Sequence, residues 1–380
     1  MFKFRLMTPG PTPVPEETLL DLARPVHYHR TPEAKQILLD VLDGLRYVFQ
    51  TKNSIIPLTA SGTGAIEAAQ VCSVPRGGKA ICIYSGRFGE RWHKLWQAFG
   101  INSIPVAAEW GQVVRPEQLA AALKQHTDAQ AVCAVHSETS TGVKEDVAAM
   151  GKLVAATPAV FIVDGVSSVG ALECRTDEWN IDLLCTGSQK ALMAPPGLAF
   201  VSVSRKAWAK IDANTDAAAF YFDLKKARKK IEESDTPFTP AHTLLRAMKV
   251  SLAKIRAEGI ENAWARHRKM ALAARAGVQA MNMKPFAAVP SESLTTAEVP
   301  AGIDGLALLK QIEKKHGIKL AGGQDQLTGK IIRLAHMGYM DFYDVLAALS
   351  ALEFTLHEMG HKFELGTGVS AAQRAYAEQA

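Results

Sequence analysis

The chain has few cysteines and no long apolar run. Its 380 residues include five cysteines, Cys72, Cys82, Cys133, Cys174 and Cys185, an odd number with no C-x-x-C pair. They are scattered and mostly inside apolar, strand-like segments, so free buried thiols in a reducing compartment are expected rather than a disulfide framework. No window approaches the ~18 uninterrupted apolar residues that a membrane span needs. The opening MFKFRLM is too short an apolar run for a signal peptide, and Pro9-Gly-Pro11 follows at once. Charge of one sign is also in short supply: 43 Lys and Arg against 38 Asp and Glu leave +5. That is too mild to point to nucleic acid or a membrane. The expectation is a cytoplasmic protein with neither partner and no metal site.

What is present is an ordinary soluble composition, 48% hydrophobic and 21% charged, at a length that suits about two domains. Between residues 55 and 204, β-rich runs alternate with helical patterns. The expected strands are Ile55–Leu58, Lys79–Tyr84, Ser103–Ala108, Ala131–His136, Ala159–Val163, Leu183–Thr186 and Leu198–Val203. Amphipathic stretches such as Glu117–His126 and Asp146–Ala156 lie between them. This alternation predicts an α/β fold with a mainly parallel seven-stranded sheet. Thr31-Pro-Glu33 reads as a helix start, with a hydroxyl cap, a first-turn proline and an acid.

After residue 205 the basic run Lys225–Lys230 reads as a solvated helix face. A long helix follows, with Leu245, Met248, Leu252 and Ile255 on one stripe. From about 284 onward short strands, Ile318–Leu320 and Lys330–Ala335, lie among helices, as in a smaller α+β domain. A polar tail is expected after Gly366. The expected division is an N-terminal arm over 1–14 that joins the active site, a large domain over 15–255 and a small domain over 256–380.

Ligands of parallel α/β sheets sit at the carboxyl ends of the strands, and three polar clusters fall there. Thr59-Ala-Ser-Gly-Thr-Gly64 opens a helix and could cradle a phosphate on backbone N–H groups; it would also serve as a plain turn. Asp164 ends a buried apolar strand; it is either a helix cap or a carboxylate able to keep a ring nitrogen protonated. Lys190, in Cys185-Thr-Gly-Ser-Gln-Lys-Ala-Leu-Met-Ala-Pro-Pro-Gly197, ends the next strand. A desolvated lysine there is a nucleophilic amine that condenses with aldehydes. A phosphate cradle, a strand-end Asp and a strand-end Lys in this order are the parts of a pyridoxal 5′-phosphate site. No G-x-G-x-x-G with a ribose-binding acid follows the first strand, which argues against a dinucleotide fold.

The segments MTPGPTPVPEE, TASGTGAIEAA, GRFGERW, HSETSTGV, VDGVSSVGA, TGSQKALMAPPGLAF and IIRLAHMG run nearly end to end. Together they resemble the class V, fold-type I aminotransferases of the alanine–glyoxylate, serine–pyruvate and serine–glyoxylate group. The resemblance implies pyridoxal phosphate as cofactor and Lys190 as the residue that carries it through a Schiff base. It also implies ping-pong transamination between alanine or serine and glyoxylate or pyruvate. Ser61, Gly62 and Thr63 match the phosphate loop, although Thr63 stands where relatives often have histidine. Phe88 matches the aromatic that stacks on the pyridine ring, Val166 the opposite face, and Thr139 the residue near the ring hydroxyl. Gln189 lies beside the phosphate and Asp164 on the ring nitrogen. Arg333 matches the fork for the substrate carboxylate, with Gly10 close by; His29 and Arg30 match either the entrance or a more distant layer. Thr236 and Thr239 match residues that relatives contribute from the neighbouring subunit, which implies a homodimer; the position of Thr236 is commonly a tyrosine there. Aspartate as donor, a cysteine desulfurase-like lyase and a non-catalytic aminotransferase-like subunit are the rival readings. The lyase is disfavoured because every cysteine precedes residue 186.

Overall fold

A computed structural model describes residues 3–379; the outermost ends of the expected arm and small domain, residues 1, 2 and 380, lie outside the described residues. Seven strands form one sheet: β1 (Ser54–Leu58), β2 (Lys79–Tyr84), β3 (Asn102–Ala107), β4 (Ala131–Val135), β5 (Val160–Asp164), β6 (Leu183–Gly187) and β7 (Ala199–Val203). Their order is β1-β7-β6-β5-β4-β2-β3. β7 runs antiparallel to both of its neighbours and the remaining pairs are parallel. The α/β architecture is therefore as the sequence predicts, with strand ends differing by a residue or so.

The central strands are largely apolar because both faces of a parallel sheet are covered. Every residue of β4, β5, β6 and β7 is buried. Side chains alternate between the two faces. Val132, Phe161 and Leu184 pack with the helices Pro32–Phe49 and His242–Glu258. Cys133, Ile162 and Cys185 pack on the other side with Gly62–Ser73 and Arg87–Ala98. All five cysteines are free and buried. The helix Pro32–Phe49 starts as its sequence dictates, with Thr31 Oγ1 accepting the N–H of Ala34 at 3.2 Å.

A third core lies beyond the large sheet, around the antiparallel strands Leu294–Glu298, Ile331–Ala335 and Ala321–Gly322. The helices Ile260–Ala280, Gly305–His316 and Phe342–Glu358 contribute to it. Ile318–Lys319 pairs instead with Arg5–Leu6, in parallel, and Met7 is buried in the same core, so the N-terminal arm is anchored there. The expectation of a polar tail is corrected: Thr367–Ala377 is a helix. Val369, Ala372 and Tyr376 follow helical spacing and form a narrow apolar stripe on the third core. The Tyr376 ring stacks on Phe342 at 3.8 Å between centroids.

The basic run forms the helix Leu224–Glu232, capped by Asp223 and burying only Leu224 and Ala227, so its charged side is solvated as expected. Among the described residues, no helix is long and apolar enough to cross a membrane.

Candidate active site

A cavity of about 300 Å³ lies at the carboxyl ends of β4, β5 and β6. β1 leads into it through Ser61, which caps the helix Gly62–Ser73 without spending its hydroxyl on the helix. Ser61, Gly62 and Thr63 line one end, where the first N–H groups of a helix are free to meet an anion. A Cβ on Gly62 would come within 2.6 Å of Val166 Cγ2, so glycine allows the two loops to close on each other. Val166 and Phe88 supply apolar lining, and Gln189 lies next to Lys190. The amide oxygen of Gln189 is buried with no partner.

Asp164 is buried at the end of β5. Its Oδ1 accepts the Val166 N–H at 2.8 Å, and its Oδ2 the indole N–H of Trp92 at 3.4 Å. Burial pushes its carboxyl above the ordinary range; those two donors, with the charges of Arg91 and Lys190, pull the other way.

The turn after β6 is locked by Ser188, whose Oγ donates to Pro195 O at 2.6 Å and accepts the Leu198 N–H at 3.3 Å. This fixes Lys190 inside the cavity. Burial lowers the Lys190 pKa to about 8; Arg333 and Arg91 add to the shift and Asp164 opposes it. The N-terminal arm lies across the same turn. Thr12 Oγ1 donates to Lys190 O at 2.9 Å, and the Lys190 amine is hydrogen bonded to Pro9 O. Gly10, at φ +127°, presses so closely that a Cβ would overlap the Lys190 side chain. Gly10 does not itself line the cavity.

Thr139 lines the cavity, and its carbonyl accepts from Arg333 Nη1 at 2.9 Å. Arg333 is held by two further oxygens, Gly322 O at 2.7 Å and Gln324 Oε1 at 3.4 Å. None of the three is a carboxylate, so among the described residues the buried guanidinium has no counter-ion in contact, and burial lowers its pKa to about 10. It stays charged at neutral pH.

Thr236 and Thr239 do not line this cavity; they border a separate hollow beside Tyr221, Phe238 and Leu245. His29 and Arg30 are also apart from it. Arg30 pairs with Asp235 at 3.5 Å, and His29 Nε2 is buried without a partner. The sequence reading overlooked Arg91, Trp92, Ser137 and Ser167. Arg91, Ser137 and Ser167 line the cavity, and Trp92 holds Asp164. The available signal was helical spacing: Arg91 and Trp92 stand three and four residues after Phe88 on one helix face.

The sequence pattern of the class-V aminotransferases matches residues 21–346. The chain belongs to that family. Relatives extend over almost its whole length. A protein of Synechococcus named as the small subunit of a soluble hydrogenase is 42% identical over 98% of both chains. The L-aspartate–glyoxylate aminotransferase of Paracoccus denitrificans is 34% identical, over 98% of this chain and 96% of its own. The crystal structure of the ureidoglycine–glyoxylate aminotransferase of Bacillus subtilis superposes with a TM-score of 0.93 at 30% identity, covering 99% of each chain. The class V chain is a pyridoxal phosphate-dependent aminotransferase. Its cavity suits that cofactor. A helix amino end with its first N–H groups open, apolar walls, a buried carboxylate and a desolvated amine meet in one space.

Proposed function

We propose that this aminotransferase moves an amino group from a small amino acid, alanine or serine, to glyoxylate or pyruvate in a ping-pong cycle. The observation that carries this reading is Arg333: a buried guanidinium adjoining the cavity wall through Thr139, with no carboxylate in contact among the described residues, matches the α-carboxylate that every such substrate carries. Glyoxylate as acceptor is supported by the names of the Paracoccus and Bacillus relatives. The first of those names keeps aspartate in the range of donors to test.

When bound, pyridoxal phosphate supplies an aldehyde for amine exchange and a protonated ring that draws electrons from the substrate Cα–H bond. Ser61, Gly62, Thr63 and Gln189 hold the phosphate end. Phe88 and Val166, which line the cavity, would cover the two faces of the ring and keep water out. Asp164, kept from solvent, would accept a hydrogen bond from the ring N–H and so keep that proton in place. Thr139 would serve the ring hydroxyl. Arg333 binds the substrate carboxylate and thereby aims Cα at Lys190. The amine of Lys190, partly unprotonated near neutral pH, would take the substrate Cα proton and deliver it to the cofactor carbon that carried the aldehyde. Gly10 keeps the arm close over this lysine. Thr236 and Thr239 complete the phosphate site of a second copy, which makes the working unit a homodimer. Five free thiols suit the reducing cytoplasm.

The test is a half-reaction. The purified holoenzyme is mixed separately with alanine, serine and aspartate while the cofactor absorbance is followed, and glyoxylate or pyruvate is then added. A small donor should convert the spectrum and the keto acid should restore it; Lys190→Ala should do neither. A holoenzyme that responds to none of these donors would overturn the reading.

A further inference from the structure

The cofactor phosphate carries close to two negative charges at neutral pH, yet its cradle is uncharged. Ser61, Gly62, Thr63 and Gln189 offer hydroxyls, backbone N–H groups and an amide. The amino end of the helix Gly62–Ser73 contributes about half a positive charge. Thr236 and Thr239 of a second copy would bring hydroxyls only. Among the residues that line the cavity, the cations are Lys190 and Arg91, and Lys190 serves the aldehyde end.

Arg91 stands beside the cradle. Its Nη1 donates to Thr63 Oγ1 at 3.0 Å, and its guanidinium carbon lies 4.9 Å from the centroid of the Phe88 ring. No carboxylate engages it among the described residues, whereas Arg87, one helical turn earlier, is paired with Asp325 at 3.2 Å. The charge of Arg91 is also felt at both chemical groups of the cavity, where it favours the ionised Asp164 and the neutral Lys190. A hydroxyl that accepts from a guanidinium turns its own hydrogen outward, so Thr63 is set to donate to an oxygen in the cradle. Among the described residues Nη2 and Nε of Arg91 make no hydrogen bond, which leaves them for a forked contact with the same group.

We propose that Arg91, with Thr63 as its relay, is the charge partner of the cofactor phosphate and gives the protein its preference for pyridoxal 5′-phosphate over unphosphorylated pyridoxal. The proposal rests on the cavity being the cofactor site, and the test separates the two. Apoprotein is prepared from the wild type and from Arg91→Met, and equilibrium binding of pyridoxal phosphate and of pyridoxal is measured by absorbance. Both aldehydes condense with Lys190 alike, so the ratio of the two affinities isolates the phosphate. Arg91→Met should weaken binding of pyridoxal phosphate, relative to that of pyridoxal, roughly ten- to a hundredfold. An unchanged ratio would overturn the role of Arg91. A wild type that binds neither aldehyde would instead overturn the assignment of the cavity. Should the variant fail to fold, wild-type apoprotein is treated with phenylglyoxal and modification of Arg91 is followed by mass spectrometry. Protection by pyridoxal phosphate and not by pyridoxal is expected, and equal protection by both would count against the proposal.

Discussion

Glu138 Oε2 accepts the backbone N–H of Gly89 at 2.9 Å. The other oxygen, Oε1, accepts from the N–H and the hydroxyl of Ser140, at 3.0 and 2.6 Å. One fully buried carboxylate thus ties the turn that carries Thr139 to the helix start that carries Phe88. Burial pushes the Glu138 pKa up, and these donors work against that shift. Glu138→Gln replaces one acceptor oxygen by an amide NH2 that must face a donor. The unfolding free energy of the apoprotein in urea should fall by about 1–3 kcal/mol; an unchanged midpoint would show that the carboxylate ties nothing.

The amine of Lys190 should react with aldehydes at lower pH than a surface lysine does. Its ordinary pKa of 10.5 falls to about 8, chiefly because burial disfavours the ammonium form. The reactive neutral amine therefore accumulates as pH rises through about 8. The rate at which wild-type apoprotein takes up pyridoxal should climb between pH 7 and 9 on that titration. A midpoint close to 10.5 would mean that the amine is not desolvated.

The parts of this protein that could be read from its sequence are those where burial acts on every residue. Ala131–Val135 and residues 160–163 and 183–185 are covered on both faces, so they appear as apolar runs, and Asp164 and Lys190 stand out at or beyond their ends. Elements with one buried stripe were harder to see. The helix Arg87–Ala98 buries only Gly89, Trp92 and Trp96 among charged neighbours, which concealed Arg91 as a lining residue of the cavity and Trp92 as the donor that holds Asp164. The strand Leu294–Glu298 is Leu-Thr-Thr-Ala-Glu, and its threonines are buried through hydrogen bonds, such as Thr296 Oγ1 to Thr141 O at 2.9 Å, rather than through apolar character. The helix Thr367–Ala377 was hidden because its buried stripe is small.

Removal of the Arg333 guanidinium should impair substrate binding and leave cofactor binding alone. Its bonds run to the carbonyls of Thr139 and Gly322 and the amide of Gln324, and Nη2 makes no hydrogen bond among the described residues. Arg333→Gln should raise KM for both the amino donor and the keto acid by roughly ten- to a hundredfold, the value of a lost charge-assisted pair. Pyridoxal phosphate affinity of the apoprotein should stay within about twofold. Steady-state kinetics with each substrate varied checks this, and an unchanged KM would remove Arg333 from the carboxylate site.

Glu145 makes stability depend on pH. Its two oxygens share the Val114 N–H at 3.3 and 3.1 Å, and burial raises its pKa from 4.5 to about 7. Between those values the folded chain keeps a proton that the unfolded chain has released. The stability this group contributes is complete below pH 4.5 and is lost as pH rises through about 7. Glu145→Gln cannot titrate and retains one acceptor. The difference in unfolding free energy, variant minus wild type, should grow by roughly 2–3 kcal/mol between pH 5 and pH 8. Urea unfolding at the two pH values measures it, and a constant difference would mean that Glu145 is ionised in the native state throughout.

Complementation tests whether Thr236 and Thr239 act on a second copy. They border a hollow apart from the cavity of their own chain. A chain with Lys190→Ala keeps both threonines and cannot condense with the cofactor. A chain with Thr236→Val and Thr239→Val keeps Lys190 but would lack two of the hydroxyls at its partner's phosphate. In a mixed dimer, one of the two sites would combine the intact lysine of the second chain with the intact threonines of the first. Co-expressed and purified through separate tags, the mixed dimer should bind pyridoxal phosphate at one site per dimer with wild-type affinity, while each parent dimer does not. If both threonines act within their own chain, each mixed site keeps one defect and no tight site is recovered.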